Sequence, residues 1–583
     1  MPAPTINRLM GRMYWSSTNI LIVLSVVVGL TTALGAVGFI ALIHYFNNLF
    51  FGLTDQLLTE TTGAGDFKFW LPLIPMAGGL LVGPIVYKFA REAKGHGVPE
   101  VMNAVARMGG IIRPRVAVAK TIASAICIGS GGSAGREGPI VQIGSAIGSS
   151  IGQLFHMSGE RVKILVGCGA AAGISAVFNA PIAGVIFSLE IILGDFAIKT
   201  FSPVILSSVV ASVVTHSVYG NHPAFAVPAY SLVSAWEIPL YCAMGCLMGG
   251  LGVSFTTILD WFEDLFDRLK MHSYAKPALG GLLLGGLALL FPQILADGYE
   301  TIGLTLNGQI GVGLLVVLIL AKLLATSFTL GSGNSGGIFA PALFMGAVAG
   351  GAYGFLVHGL WPDATASAGA YALVGMAGMI AATTHAPMTA MLIIFEMTSD
   401  YRIILPLMVT VVFSALVAGR LFQHSIYTVK LAKRGIDIRG GKDINVLRSH
   451  RVGEIMDKRF ATIQVNTPLA RILDIIEHSS DSYFVVVDSE HHLRGMVSFQ
   501  DIRSVLTQHS LDFLVIAQDV MSTETIVVTK DDSLEKAYQL FGVKDIEMIP
   551  VVDSARADKV LGVIRKDQLT DYYNKRLIDT LRR

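Results

Sequence analysis

Residues 129–139 read Gly-Ser-Gly-Gly-Ser-Ala-Gly-Arg-Glu-Gly-Pro, an Arg–Glu pair set among glycines and serines. Thr121 to Gly135 carries no formal charge, and neither does Gly138 to Gly159. An ionisable pair in such apolar surroundings is costly in a bilayer and marks a functional position. Glycines let backbone N–H groups converge, and the start of a following helix adds positive potential. The chemistry this suits is reversible anion binding, with the Glu137 carboxylate competing for the anion's place. The plainer alternative is a Gly-rich turn whose Arg136 and Glu137 reach a membrane interface.

A second copy favours the first reading. Residues 331–341 read Gly-Ser-Gly-Asn-Ser-Gly-Gly-Ile-Phe-Ala-Pro, so Gly129, Ser130, Gly131, Ser133, Gly135 and Pro139 recur 202 residues later. Downstream, Gly169, Ala176, Pro181 and Glu190 recur at nearly that offset as Gly375, Ala382, Pro387 and Glu396. Gly-broken apolar segments in corresponding positions of two halves are the mark of a transporter-type repeat, with the site where half-helices meet.

The elements that must hold these loops are membrane helices. Of 583 residues, 52% are hydrophobic and 15% charged, with mean hydropathy +0.61. Nearly half of the charged residues fall after residue 440, which predicts an integral membrane part followed by a soluble one. The apolar blocks vary in length and are cut by Gly or Pro, and broken helices at membrane depth are tolerated where protein buries them or they line a wet cavity. Met13 to Thr54 is charge-free, longer than a secretory h-region, and reads as an anchored segment. Arg8 and Arg12 before it put the N-terminus in the cytoplasm. The net charge of +1 argues against a nucleic-acid partner. Cys127, Cys168, Cys242 and Cys246 lie in apolar runs without redox or zinc spacing and read as buried inert thiols. A membrane metalloprotease would need His-Glu-x-x-His, which is absent, and a cation carrier would show acids inside its spans. No catalytic or metal-binding set emerges, and an enzyme is not expected.

Gly135-Arg136-Glu137-Gly138-Pro139 and Gly337-Ile338-Phe339-Ala340-Pro341 resemble two signature motifs of the CLC family of chloride channels and chloride/proton antiporters. The third signature, Gly-Ser-Gly-Ile-Pro in the family, stands here as Gly95-His96-Gly97-Val98-Pro99, and the pore tyrosine matches Tyr427. The likeness covers about Asn19 to Lys433. It implies an α-helical polytopic membrane protein with a two-fold inverted repeat of broken helices, forming a homodimer with one pore per subunit in a plasma or inner membrane. It implies chloride, or a similar small anion, as the bound and transported species. Glu137 would be the gate. His96, Gly97, Ile338, Phe339 and Tyr427 would bind the anion, the second pair through backbone N–H groups that let the ion leave again. His96 replaces the family's serine: either its imidazole donates to the anion, or it turns away and backbone groups coordinate alone. Arg136 reads as structural, and Glu190 and Glu396 as buried helix-end acceptors. Antiporters carry a second proton glutamate directly after the position of Glu190, where this chain has Ile191. That favours passive, Glu137-gated, channel-type conduction over coupled exchange, and the resemblance also implies voltage gating.

The C-terminal part holds a second duplication. Val-Gly-Glu-Ile-Met at 452–456 parallels Ala-Gln-Asp-Val-Met at 517–521, and Val485-Val486-Val487-Asp488 parallels Pro550-Val551-Val552-Asp553. Each unit reads strand, helix (469–478, 534–541), strand, strand, helix, and the two should pack as one module. This is similar to an α/β tandem CBS pair. The expected boundaries are a transport domain over 1–433, a linker over 434–450, and CBS repeats over 451–510 and 515–576. Such pairs often hold adenine nucleotides through a hydroxyl and an Asp after the last strand. Ser498 and Asp501 have that spacing, whereas the second unit reads Gly562-Val563-Ile564-Arg565-Lys566-Asp567 with no hydroxyl. A purely structural module is the other reading.

Overall fold

The charge-free run after Arg12 forms α1, Ser17–Asn47, a helix longer than a membrane crossing requires. The computed structural model describes residues 17–52, 70–220, 225, 230, 232–398, 400–436, 447, 450–479, 483–502, 515–544, 546–553 and 559–572. Arg8, Arg12 and most of the expected linker lie outside them. The chain divides into two units, Met1–Ile436 and Asp437–Arg583.

The described residues of the first unit form helices joined by turns. After α1 come α2 (Leu73–Pro84), α3 (Val98–Arg107), α4 (Pro114–Gly129), α5 (Glu137–Leu154), α6 (Gly159–Phe178), α7 (Pro181–Phe187) and α8 (Ile198–Tyr219). The second half repeats the series as α9 (Glu237–Arg268), α10 (Lys276–Ala288), α11 (Tyr299–Leu306), α12 (Val312–Gly331), α13 (Phe339–Leu360), α14 (Ala368–Thr384), α15 (Pro387–Thr398) and α16 (Ile404–Leu421). A short α17 (Thr428–Lys433) follows outside the repeat. Among the described residues seven helices are long and apolar enough to cross a membrane, and the others are shorter pieces. Proline at or next to the first position starts α3, α4, α7 and α10, where its missing N–H costs nothing.

Reciprocal contacts relate the halves by a two-fold axis, since under such symmetry residue i meets j and j meets i. Glu190 accepts from the Met388 and Thr389 N–H groups at the start of α15, at 3.2 and 2.8 Å. Glu396 accepts from the Ile182 and Ala183 N–H groups at the start of α7, at 3.0 and 2.6 Å. Both glutamates are thus helix-end acceptors, each capping the other half. Within the halves, α5 crosses α6 with Gly144 against Gly169, and α13 crosses α14 with Gly346 against Gly375; a Cβ on any of the four would strike the partner's backbone. Close approach through small residues is how helices associate where lipid supplies no hydrophobic drive. Cys127 and Cys168 are buried as expected, but Cys242 is half-buried and Cys246 is exposed on α9. Their apolar neighbours signalled a membrane helix, and one face of such a helix can look outward.

The second unit contains two three-stranded sheets of one design. In the first, β1 (Thr462–Gln464) runs parallel to β2 (Tyr483–Val487), which pairs antiparallel with β3 (Leu493–Ser498). The second repeats this with β4 (Val528–Thr529), β5 (Met548–Val552) and β6 (Val560–Arg565). Helices α18 (Leu469–Glu477) and α19 (Leu534–Lys544) fall where the repeat places them. The repeats interlock: Met496 exchanges backbone bonds with Ser522, Val563 does so with Asp457, and Val485, Val487, Met548 and Val563 share one core.

Candidate functional site at the meeting of the half-helices

Two glycines join the motif loops. The Gly135 N–H donates to the Gly337 carbonyl at 2.8 Å, and the Gly337 N–H donates back to Gly135 at 2.6 Å. The His96 loop is added by the Gly95 N–H to Asn334, 3.0 Å, and the Gly336 N–H to Gly95, 3.2 Å. A Cβ on Gly337 would lie 2.8 Å from the Gly138 nitrogen, and one on Gly138 would strike the His96 carbonyl, so side chains are excluded where the loops touch. Three segments distant in sequence therefore share one point.

Helix starts are gathered around it. Glu137 is the first residue of α5, and Arg136 is its N-cap. Ile338 is the N-cap of α13 and Phe339 its first residue, where backbone N–H groups lack intrahelical acceptors. Gly97, with φ of 85°, is the N-cap of α3, and a Cβ there would lie 2.6 Å from Gln142 Oε1. Tyr427 is the N-cap of α17. Its ring and that of His96 are both buried, with centroids 5.7 Å apart. The imidazole is thus directed toward the pore-tyrosine position, and its Nδ1 is buried with no hydrogen-bond partner among the described residues.

Glu137 is 1% exposed. Its Oε1 accepts the Tyr299 hydroxyl at 2.7 Å, while Oε2 is buried with no hydrogen-bond partner among the described residues. The Arg136 guanidinium lies over the Tyr299 ring, 5.0 Å from its centroid. A cavity of about 390 Å³ reaches this pair, lined also by His44, Asn179 and His216. Ile191 is buried in the π-helical turn Ser188–Leu193 that continues α7, and α3 packs on that turn.

Three residues of the site had escaped the sequence reading. Tyr299 is one. Lys120 and Lys322 are the others, fully buried and 202 residues apart. Lys120 Nζ donates to the Ala93 and Gly95 carbonyls at 3.1 and 2.6 Å, before the His96 loop. Lys322 Nζ donates to Ile294 and Ala296 at 2.9 and 3.0 Å, before Tyr299. Each lysine ties down the loop that leads into α3 or α11.

In the second unit the Ser498 hydroxyl donates to Asp501 Oδ2 at 2.7 Å, and the Ser498 N–H donates to the same oxygen at 2.8 Å. Both residues line a cavity of about 190 Å³. Ser522 and Thr525 of the other repeat line it too, hydroxyls outside the segment after the last strand to which the sequence pattern points. The position equivalent to Ser498 is Arg565, whose guanidinium binds Asp457 at 2.6 Å. The Arg459 N–H and then that guanidinium hold the Asp457 carboxyl below its usual range.

The voltage gated chloride channel family matches residues 78–419, and the CBS domain family matches 452–508 and 517–575. The H(+)/Cl(−) exchange transporter ClcA of Vibrio cholerae is 33% identical, over 68% of this chain and 86% of the relative. Chloride channel protein CLC-e of Arabidopsis thaliana is 31% identical, over 84% of this chain and 76% of the relative. The crystal structure of a slow cyanobacterial Cl−/H+ antiporter superposes with a TM-score of 0.65 at 29% identity, over 71% of this chain and 97% of that one. A eukaryotic CLC transporter shares the fold over 95% of this chain and 99% of its own, with a TM-score of 0.64. The chain is therefore a member of the CLC family, an integral multi-pass membrane protein of anion transporters and channels with a C-terminal pair of CBS domains.

Proposed function

We propose that this protein carries chloride or a similar small anion through a path gated by the Glu137 carboxylate. One observation carries the reading: a buried carboxylate with one oxygen unpartnered stands at the start of α5, hydrogen-bonded to the start of α13 through Gly135 and Gly337. In that setting carboxylate and anion compete for the same donors. The Ile338 and Phe339 N–H groups and the Tyr427 hydroxyl bind the ion, with His96 and Gly97 on the facing loop. Neutral donors hold an anion without trapping it.

Channel-type conduction is the mode we favour, because Ile191 stands where a proton relay would need an acid and an apolar side chain resists a water wire. Coupled exchange is the second reading, favoured by the exchangers among the relatives. Proteoliposomes with a pH gradient and no chloride gradient separate the two. A reversal potential that follows chloride alone supports conduction; chloride driven uphill, and lost in Glu137→Ala, establishes exchange. We further assign a homodimer with one path per subunit, cytoplasmic termini, and an adenine nucleotide at Ser498 and Asp501. Light scattering of the detergent-solubilised protein decides the first of these.

A further inference from the structure

We infer that Tyr299 is a positioning residue that latches the Glu137 carboxylate in its closed place. The inference rests on the reading of Glu137 as the gate. The hydroxyl donates to Oε1 at 2.7 Å, and the scaffold, not the glutamate, fixes where that hydroxyl stands. Phe225 packs on the Tyr299 ring at 5.4 Å, and the Arg136 guanidinium lies over it at 5.0 Å. Gly298, with φ of 78°, sets the start of α11, and a Cβ there would lie 2.6 Å from the Phe344 ring. Lys322 holds the preceding carbonyls of Ile294 and Ala296. Ring, backbone and loop are each tied down independently of Glu137.

The ring also walls the cavity of about 390 Å³ together with Arg136, Asn179 and His216. Tyr299 thus borders that cavity and holds the carboxylate as well. For the carboxylate to swing away, this hydrogen bond must break. For it to accept a proton, the bond must lose its charge assistance, and bonds to ionised acceptors are roughly twice as strong as neutral ones. The charged or titratable groups facing Glu137 are Arg136 on its own helix, Asp297 and Tyr299 at the start of α11, and Tyr427 on α17. His96, on the α3 loop, meets Gly138 through its carbonyl, and the facing start of α13 supplies the apolar Ile338 and Phe339. Of these groups, Tyr299 is the neutral donor bonded to the carboxylate. Phe in its place keeps the ring contacts and removes the donor, which makes the negative form harder to hold.

The test measures chloride flux against pH in proteoliposomes for the wild type, Tyr299→Phe, Glu137→Gln and the double variant. Tyr299→Phe should move the half-activation pH upward by about one unit, the tenfold change in proton affinity expected for one lost bond to a charged group. The same substitution should move nothing in the Glu137→Gln background. Difference infrared spectra supply a second reading, because the protonated-carboxyl band that Glu137→Gln removes should titrate at higher pH in Tyr299→Phe. A Tyr299→Phe profile and band that superimpose on the wild type overturn the latch and leave the gate standing. A shift that persists in the Glu137→Gln background also overturns it. A Glu137→Gln protein with wild-type pH dependence removes the gate, and the latch with it.

Discussion

The two halves of the transmembrane unit place the same backbone around different side chains. Glu137 and Phe339 are equivalent, each the first residue of a half-helix entered through one of the two mutually bonded glycines, Gly135 and Gly337. Lys120 and Lys322 are equivalent and do the same work, as do Glu190 and Glu396. Gly97 and Gly298 correspond as the positive-φ N-caps of α3 and α11, but His96 corresponds to Asp297, and Val98 to Tyr299. The shared positions hold loops and helix ends. The differing positions cluster where the loops meet. Duplication thus supplies two converging helix starts, and asymmetry decides that one presents a titratable group while the other presents a ring and two amides. A symmetric pair of carboxylates at that distance would repel, and a symmetric pair of rings would leave nothing to titrate.

The largest effect should come from removing the asymmetric acid. Glu137→Gln keeps the shape of the side chain and deletes its charge. Chloride flux that changes with pH in the wild type should lose that dependence, so that rates one pH unit apart, about tenfold different in carboxylate protonation, become equal. Phe339→Leu, at the equivalent place, should leave the pH dependence present. If both substitutions flatten the profile alike, the halves are not divided as argued.

Next in size are the symmetric lysines. Lys322→Met leaves the Ile294 and Ala296 carbonyls without that donor, whereas after Lys120→Met the Ala93 carbonyl keeps the Ser335 hydroxyl and the Gly95 carbonyl keeps the Gly336 N–H. An unmatched buried polar group costs about 1–3 kcal/mol, so Lys322→Met should lose about 2–4 kcal/mol and Lys120→Met less. Thermal unfolding in detergent checks this, with the larger loss expected in the second half. A larger loss in Lys120→Met would overturn this account of the two lysines.

These lysines show what the sequence made legible and what it hid. Glycine spacing, proline positions and the 202-residue offset disclosed the repeat, because a backbone that must pass within contact distance of another tolerates few residue types. The motif glycines and Glu137 were legible for the same reason. Lys120 and Lys322 share that offset, yet each sits at the edge of a charge-free stretch and so looked like a boundary. Tyr299 lies far from Glu137 in sequence, beside Asp297 and Glu300, with nothing local to mark it. Its signal was its place directly after Gly298, the partner of Gly97 once the halves are aligned by their glycines. In the C-terminal unit the β-strand alternation and internal repeat gave the sheets. The hydroxyls of Ser522 and Thr525 were hidden because they reach the Ser498 cavity from the other repeat.

A smaller effect should follow from His96→Ser, which moves the first half toward the common family pattern. The buried ring facing Tyr427 would be replaced by a hydroxyl. A change of about 1 kcal/mol in one hydrogen bond amounts to roughly a fivefold change in relative affinity. Permeability ratios among chloride, bromide and nitrate should shift by about that factor. An unchanged order would mean that the backbone of the His96 loop, and not its ring, meets the ion.

The smallest effect concerns the second duplication, where the same logic of shared frame and differing residue recurs. Ser498 and Arg565 are equivalent, each closing the last strand of its repeat. Arg565 is held by Asp457, which fills that position with an internal ion pair. Ser498 is held by Asp501 beside a cavity that Ser522 and Thr525 also line. A ribose with two hydroxyls could replace the Ser498–Asp501 bond at little cost, because a carboxylate accepts from sugar hydroxyls as readily as from serine. It could not replace the Asp457–Arg565 pair without leaving a charge unmatched. The full-length protein should therefore bind one ATP or AMP per chain in calorimetric titration, not two. Ser498→Ala should weaken that binding by about fivefold, the worth of one neutral hydrogen bond. Glu524, which lines the same cavity, sets a limit on the ligand, since its carboxylate opposes a phosphate placed against it. AMP should then bind at least as tightly as ATP. Two nucleotides per chain would break the division between the repeats, and no heat with either nucleotide would make both copies structural.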